Sequence, residues 1–499
     1  MTFEARAYQA EAVQNLRSGL AGGYKRQILS SPTGSGKTEI GMILVRGAVA
    51  KGKRVAFLCN RINLVGQTSA RFFRAGISHG VIQGQNTSRT YENVIVASIQ
   101  TVAKRGMPDV DLLVIDEAHG VAGSKDYRKV ITAHNGAVIG LSATPFSKGL
   151  GKHYAELGGP LFEQMVVAAT IQDLIDQGYL VDCDVYAPSQ PDLSGVKIIA
   201  GDYNEKELGE AVDKSTLIGD IVTNWRKFAN NTPTVCFATN IAHSRHIVEQ
   251  FTAAGVVAEH IDCYTSEEER AAILERVSAG KTLVISNVGI LTEGWDFPAC
   301  RTMILARPTK SLIRYLQMAG RVLRPALGKD RALILDHSGT VQSIGFPTDD
   351  FPMELDDGKP KESTGSAKND EKKPAKCPQC TYLKKGSGKC PVCGFQPQRQ
   401  NTIEHEAGEL VPLTKKEKAK KAKLDGLDKQ HVYSELYRMS QENGYKSGWV
   451  ANRYREIFGV WPKGLVDVGR PPSLLVQNMV KANMIRFFKG KAKNAQPQA

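Results

Sequence analysis

The sequence predicts an α/β protein: two successive parallel-sheet units, then a small cysteine-bound ribbon and a helical C-terminal segment. Three observations carry that expectation. Short apolar strands alternate with helical stretches, and the series runs twice. A glycine-rich turn of the phosphate-holding kind follows the first strand. Four cysteines fall in two Cys-x-x-Cys pairs between Cys377 and Cys393.

The first series runs from Gln27 to about Leu141, with strand candidates QILSSP, RVAFLCN, NVIVASIQT, LLVIDEA and AVIGLSATP. Each is apolar on both faces and bounded by Gly, Pro or Asn, as strands of a helix-covered parallel sheet are. From Thr234 the pattern restarts with TVCFAT, AEHIDCY, KTLVISN, RTMILARP and RALILDHS. The expected division is a first unit over 1–150, a connecting region over 151–215 holding the helix ATIQDLIDQGYL, and a second unit over 216–345. Beyond it come a polar linker (346–375), the ribbon (376–396), a lysine-rich linker (397–427), a helical module (428–488) and a disordered tail (489–499).

The stretch from Ile28 to Leu44 reads as strand, turn and helix, and the turn SPTGSGKT approaches the pattern Gly-x-x-x-x-Gly-Lys-Ser/Thr. Ser31 stands where the first Gly is usual. The N–H groups from Thr33 to Thr38 would curl round a β-phosphate, Lys37 would reach the β/γ oxygens, and the Thr38 hydroxyl would ligate Mg²⁺. Further on, LLVIDEAHG delivers Asp116 and Glu117 at the carboxyl end of an apolar strand, where open α/β sheets bind ligands. Asp116 suits the Mg²⁺ and Glu117 the attacking water, so the expected chemistry is hydrolysis. The alternative for an Asp-Glu pair at a strand end is a solvated turn.

Taken in order, SPTGSGKT, DEAH and LSATP resemble motifs I, II and III of superfamily 2 helicases. VISNVGILTEGWDFP (Val284–Pro298) resembles motif V, YLQMAGRVLRP (Tyr315–Pro325) motif VI, and RAYQAEAV (Arg6–Val13) the adenine-reading Q motif. The resemblance implies two RecA-like domains with ATP between them. It implies ATP contacts at Arg6, Gln9, Ser31, Pro32, Thr33, Gly34, Ser35, Gly36, Lys37, Thr38, Gly294 and Asp296. Lys37, Asp116, Glu117, Gln317, Arg321 and Arg324 would be the catalytic set, with both arginines reaching the γ-phosphate across the cleft. His119, Ser142, Ala143 and Thr144 would couple that phosphate to domain closure. NRINLVGQ and ASIQTV resemble motifs Ia and Ic, which implies nucleic-acid contacts at Asn60, Arg61, Gln67, Ser98, Gln100 and Thr101. DEAH, Thr292–Asp296 and Gln317 look more like the branch of restriction motors, excision-repair translocases and phage recombination helicases, which act on DNA. RNA helicases of the DEAH type share Gln317, so RNA stays open, as does an ATP-gated clamp that does not unwind.

CPQC-TYLKKGSGK-CPVCGF sets two knuckles nine residues apart, four thiolates suited to one Zn²⁺ at Cys377, Cys380, Cys390 and Cys393. A redox pair or an iron centre is the alternative. Lys384, Lys385 and Lys389 in the intervening loop would be free to touch phosphate. In the last segment, Val432, Leu436 and Met439, then Trp449, Tyr454, Phe458 and Trp461, recur at helical spacing. They suit a small core better than base stacking.

Of 499 residues, 41% are hydrophobic and 23% charged, enough for buried cores, and no apolar run approaches the ~20 residues of a membrane span. The N-terminus has no apolar signal core, so the expected compartment is the cytoplasm. Net charge is +14 and uneven: 19 basic against 9 acidic residues in 1–150, 18 against 26 in 151–350, and 28 against 16 beyond. Basic portions flanking an acidic middle suit a polyanion such as nucleic acid, or a solubilising surface. The oligomeric state is left open, and a monomer is compatible with all of this.

Overall fold

The computed structural model describes residues 5–199, 201–292, 294–351, 353–359, 374–386, 388–396, 428–446 and 448–481. They form two compact units, Met1–Arg399 and Gln400–Ala499. The expected basic linker (397–427) and tail (489–499), part of the polar linker (360–373) and the end of the helical module (482–488) lie outside the described residues.

In the first unit an eight-stranded sheet comprises β1 (Arg26–Ser30), β2 (Val55–Cys59), β3 (Gly80–Gln83), β4 (Asn86–Ser88), β5 (Val94–Ser98), β6 (Leu112–Ile115), β7 (Ala137–Ser142) and β10 (Gln164–Val167), with the small pair β8 (His153–Tyr154) and β9 (Gly159–Pro160) alongside. Its order is β10-β1-β7-β6-β2-β5-β3-β4, parallel except for the β3–β4 hairpin. The central strands β2, β5 and β6 are buried throughout, which is why their sequences are continuously apolar. Pairs such as Leu29↔Leu141 and Phe57↔Val114 set the register.

A six-stranded parallel sheet follows: β11 (Asp182–Tyr186), β14 (Thr234–Phe237), β15 (Ala258–Ile261), β16 (Val284–Asn287), β17 (Thr302–Leu305) and β18 (Arg331–Asp336), in the order β11-β18-β17-β14-β16-β15. A hairpin, β12 (Ile198–Ile199) with β13 (Asp202–Tyr203), stands apart from it. The two sheets with their helices are the two RecA-like lobes. The stretch between the repeats gives each lobe an edge strand: β10 joins β1, and β11 joins β18. Strand β11 alternates half-buried and buried residues, the pattern of an edge rather than of a buried strand.

The start of the expected linker is packed. Phe346 is buried in the core of the second lobe, and the chain then recrosses to the first. Phe351 meets Phe146 edge-on at 6.4 Å, Met353 Sδ lies 3.5 Å from Ser30 Oγ, and Leu355 packs on the first lobe's core. Asp356 accepts from Gly149 N (2.9 Å), and its carbonyl accepts from Gly151 N (2.8 Å). Phe346, Phe351, Met353 and Leu355 supply the apolar contacts that hold this strap, although the expected linker is polar overall.

The ribbon pairs β19 (Pro374–Lys376) with β20 (Leu383–Lys385) and docks on the edge strand β11. Tyr382 bridges to Tyr186, Thr381 O accepts from Ala187 N (3.0 Å), and the two tyrosine rings meet at 5.3 Å.

In the second unit, helices Lys429–Asn443 and Trp449–Phe458 enclose Val432, Leu436, Tyr454, Ile457, Val476 and Val480. Met439, Trp449 and Phe458 pack against them, whereas Trp461 is half exposed, beyond the helix end at Gly459. Among the described residues no helix is long and apolar enough to cross a membrane.

Candidate functional site

The phosphate loop joins β1 to the helix Lys37–Val49. Ser31, in the place of the usual glycine, is fully buried; its hydroxyl lies 2.6 Å from that of Ser35, which donates to Pro32 O (2.6 Å). Two serines thus hold the turn from behind. Gly34 and Gly36 adopt φ of 91° and 80°, which side chains resist. A Cβ at Gly36 would also lie 2.7 Å from Gln9 Nε2. Gln9 itself accepts from Arg6 N (3.1 Å) and donates to Ser35 O (3.2 Å), tying the first helix to the loop.

Lys37 Nζ lies 2.5 Å from Glu117 Oε1 and 3.4 Å from Asp116 Oδ1. Burial disfavours its charge, but the two carboxylates outweigh that and raise its pKa. The carboxylates diverge. Burial raises the pKa of Asp116, whereas in Glu117 the same burial is overcome by Lys37 and His119, which hold it well below the usual carboxylate range. Glu117 also has φ 50°, a left-handed backbone unusual for this residue, which turns its side chain at the strand end.

Behind Glu117 a polar chain reaches the second lobe. His119 Nδ1 lies 3.3 Å from Glu117 Oε2 and 3.4 Å from Ser142 Oγ, and His119 Nε2 is 3.5 Å from Gln317 Nε2. Ser142 Oγ accepts from the N–H of Thr144 (3.1 Å), and both residues are buried. Gln317 comes from the helix Leu312–Ala319, and Arg321 and Arg324 follow it. Arg321 donates to Trp295 O (2.6 Å) and Thr292 O (3.1 Å); Arg324 donates to Trp295 O (3.3 Å) and pairs with Asp296. Gly320 touches the loop directly, since a Cβ there would collide with Thr33.

These groups enclose one cavity of about 440 Å³ at the seam between lobes. Arg6, Gln9, Pro32, Thr33, Gly34, Gly36, Lys37 and Thr38 line it from the first lobe, with Asp116, Glu117 and Ala143. Gly294, Asp296, Gln317, Arg321 and Arg324 line it from the second. Ser31, Ser35, His119, Ser142 and Thr144 stand behind its walls. Sequence reasoning missed Glu39, Thr68 and Arg71, which line it from helix turns outside any motif.

Asn60, Arg61, Gln67, Ser98, Gln100 and Thr101 all border a second cavity between the lobes, of about 750 Å³. Gln100 donates to Asn60 O (2.8 Å) and accepts from Ser98 Oγ (2.7 Å). Arg270, Leu274 and Ser278 face them from the helix Glu267–Ser278. Arg270 was missed, although Ser266 capping a run of three acids before it marks a helix start.

The ribbon cysteines also converge. The Sγ atoms of Cys377, Cys380, Cys390 and Cys393 all lie within 4.8 Å of one another, with Cys377–Cys393 at 3.6 Å and Cys380–Cys390 at 3.7 Å. A tetrahedron with Zn–S bonds of ~2.3 Å has edges of about 3.8 Å, so the four thiols fit that ion. The knuckles are alike: Thr381 N donates to Cys377 O and Gly394 N to Cys390 O, both at 3.0 Å, with φ of 62° and 75°. The loop lysines depart from expectation. Lys384 is buried and Lys385 pairs with Asp349 (2.7 Å), because the loop faces the second lobe; of the three, only Lys389 combines exposure with distance from those contacts.

Two family models match the chain: "Type III restriction enzyme, res subunit" over residues 2–147 and "Helicase conserved C-terminal domain" over residues 213–326. A "51.5 kDa protein" of a Lactococcus phage is 28% identical over 402 residues, covering 79% of this chain and 83% of the phage protein. The "Putative ATP-dependent helicase IRC3" of Saccharomyces cerevisiae is 30% identical over 375 residues, covering 69% of this chain and 53% of the yeast protein, so the chain spans about half of that relative. "The fragment structure of a putative HsdR subunit of a type I restriction enzyme from Vibrio vulnificus YJ016" aligns with TM-score 0.53 at 20% identity, over 71% of this chain and 67% of that one, a likeness of fold.

Proposed function

The chain belongs to the superfamily 2 helicases, in the branch of the restriction-enzyme subunits and IRC3, and from that premise we propose that it is an ATP-driven motor on DNA. The observation that carries this reading is the shared cavity, where Lys37 and Glu117 of one lobe face Gln317, Arg321 and Arg324 of the other. A triphosphate held there is complete only when the lobes meet, so binding favours closure and hydrolysis favours opening. On this reading residues 1–150 and 216–345 are the motor lobes, and 151–215 joins them.

Lys37 binds the β/γ oxygens, and the loop N–H groups bind the β-phosphate. Thr38 and Asp116 would hold Mg²⁺, which would supply charge neutralisation at the phosphate oxygens. Glu117, kept ionised by its neighbours, orients the attacking water and takes its proton. Arg321 and Arg324 leave their carbonyl and carboxylate partners for the γ-phosphate, where they stabilise transition-state charge. His119 and Gln317 relay that state across the seam. The larger cavity lined by Asn60, Arg61, Gln100 and Arg270 takes the strand's phosphates, and the lobes grip it alternately.

DNA is the preferred polymer because the family model over the first lobe carries a restriction-enzyme name. The four cysteines would hold Zn²⁺, which would serve as a structural ion rather than a catalytic one. The deciding measurement is ATP turnover of the full chain with single-stranded DNA, duplex DNA and RNA of matched length. Stimulation by DNA above RNA is expected. Equal turnover with and without any polymer would overturn the motor, and stimulation by RNA alone would overturn the substrate.

A further inference from the structure

Arg71 belongs to none of the motifs, yet it donates to the hydroxyl that would ligate Mg²⁺ on the nucleotide reading above. It lies near the end of the helix Ile62–Arg74, and its Nη1 donates to Thr38 Oγ1 at 2.9 Å. Its side chain lines both the nucleotide cavity and an adjoining one of about 450 Å³. That adjoining cavity is lined by the carboxylates of Glu39 and Asp296, the apolar side chains of Met42 and Ile43, and the arginines Arg46 and Arg74, whose guanidinium groups donate to Ala75 O and Ala70 O.

A magnesium ion ligated by the Thr38 hydroxyl sits ~2.1 Å from the oxygen. With the guanidinium where it stands, ion and Nη1 would be separated by about 5 Å at most, by adding the two distances. At that range, in a partly desolvated seam, a divalent cation and a guanidinium repel strongly. Both also seek the same oxygen. Resting on the nucleotide reading above, we propose that Arg71 competes with the divalent cation for Thr38 and so sets the metal concentration that nucleotide binding requires. When the cation takes the hydroxyl, the guanidinium swings into the adjoining cavity, towards Glu39. Arg71 is thus a positioning residue, acting through Thr38 rather than on the reacting atoms.

The test is equilibrium binding of a fluorescent ATP analogue to the full chain, titrated with MgCl₂ upward from EDTA. Arg71→Gln is expected to lower the half-saturating Mg²⁺ at least threefold, while affinity in EDTA changes less than twofold. Arg71→Lys, which keeps the charge on a shorter stem, is expected to fall between Arg71→Gln and the parent. An unchanged Mg²⁺ midpoint in Arg71→Gln would overturn the competition. So would an equal loss of affinity with and without metal, which would mark Arg71 as a phosphate ligand or a structural residue. A parent chain that binds no nucleotide would overturn the site assignment together with this inference, an outcome distinct from the other two.

Discussion

At the residue scale the seam turns on Glu117 and Gly320. Glu117 is kept charged by Lys37 and His119 despite its burial, the condition a base needs to receive a proton. Replacing it by Gln keeps the shape and removes that capacity. Glu117→Gln is expected to bind ATP within a few-fold of the parent and to turn it over ~10²–10⁴ times more slowly, measured by phosphate release beside analogue binding. Parental turnover would sink the assignment. Gly320 has an ordinary helical backbone, so its lack of a side chain answers to Thr33 across the seam rather than to conformation. Gly320→Ala is expected to hold the lobes apart and abolish most turnover without unfolding either lobe. Thr33→Gly in the same chain should restore part of it, since the clash is pairwise. No recovery in the double variant would mean the contact does not limit closure.

At the element scale the cysteine ribbon is the sharpest case. Its spacing was legible in the sequence, but its attachment was not: β20 and the Tyr382 bridge continue the sheet edge at β11, and Lys385 reaches the strap at Asp349. Full-length protein is expected to carry about one zinc per chain. Removing it by chelation, or by Cys377→Ser with Cys380→Ser, should lower the melting temperature by several degrees, as a domain of this size responds to ~2 kcal/mol. Metal analysis and calorimetry check both points, and a metal-free chain with an unchanged melt would contradict them. Strands β3, β4, β10 and β11 went unread because each lies at a sheet edge or beside it, where one face or one ladder is open. Such strands need not be continuously apolar, which was the signal sought.

At the scale of the first compact unit, the strap from Phe346 to Asp356 links the lobes a second time, behind the phosphate loop. On the proposed motor reading, closure and opening would therefore take place against a tether. Asp356 accepts from Gly149 N (2.9 Å) and Gly358 N (2.7 Å), so Asp356→Ala removes a partner from both donors. The expected cost is about 1–3 kcal/mol. The measurable signs are a lower denaturant midpoint and faster limited proteolysis between 346 and 359. A strap as resistant as the parent's would show that Leu355 and Phe351 alone hold it.

What could be read along the chain was residue types at fixed local spacing. SPTGSGKT, DEAH and the four cysteines could be read because each acts within one turn, strand end or knuckle, where a few neighbouring residues dictate the geometry; the Gln317–Arg324 stretch was legible only through the resemblance to superfamily 2 helicases. Which distant segments share a wall was settled by folding. Arg71 beside Thr38, Arg270 opposite Gln100, and the strap behind the phosphate loop come from helix faces and loops whose partners are tens to hundreds of residues away. Their local sequence carries no mark of that, because a contact between remote segments is set by how the sheets and helices pack.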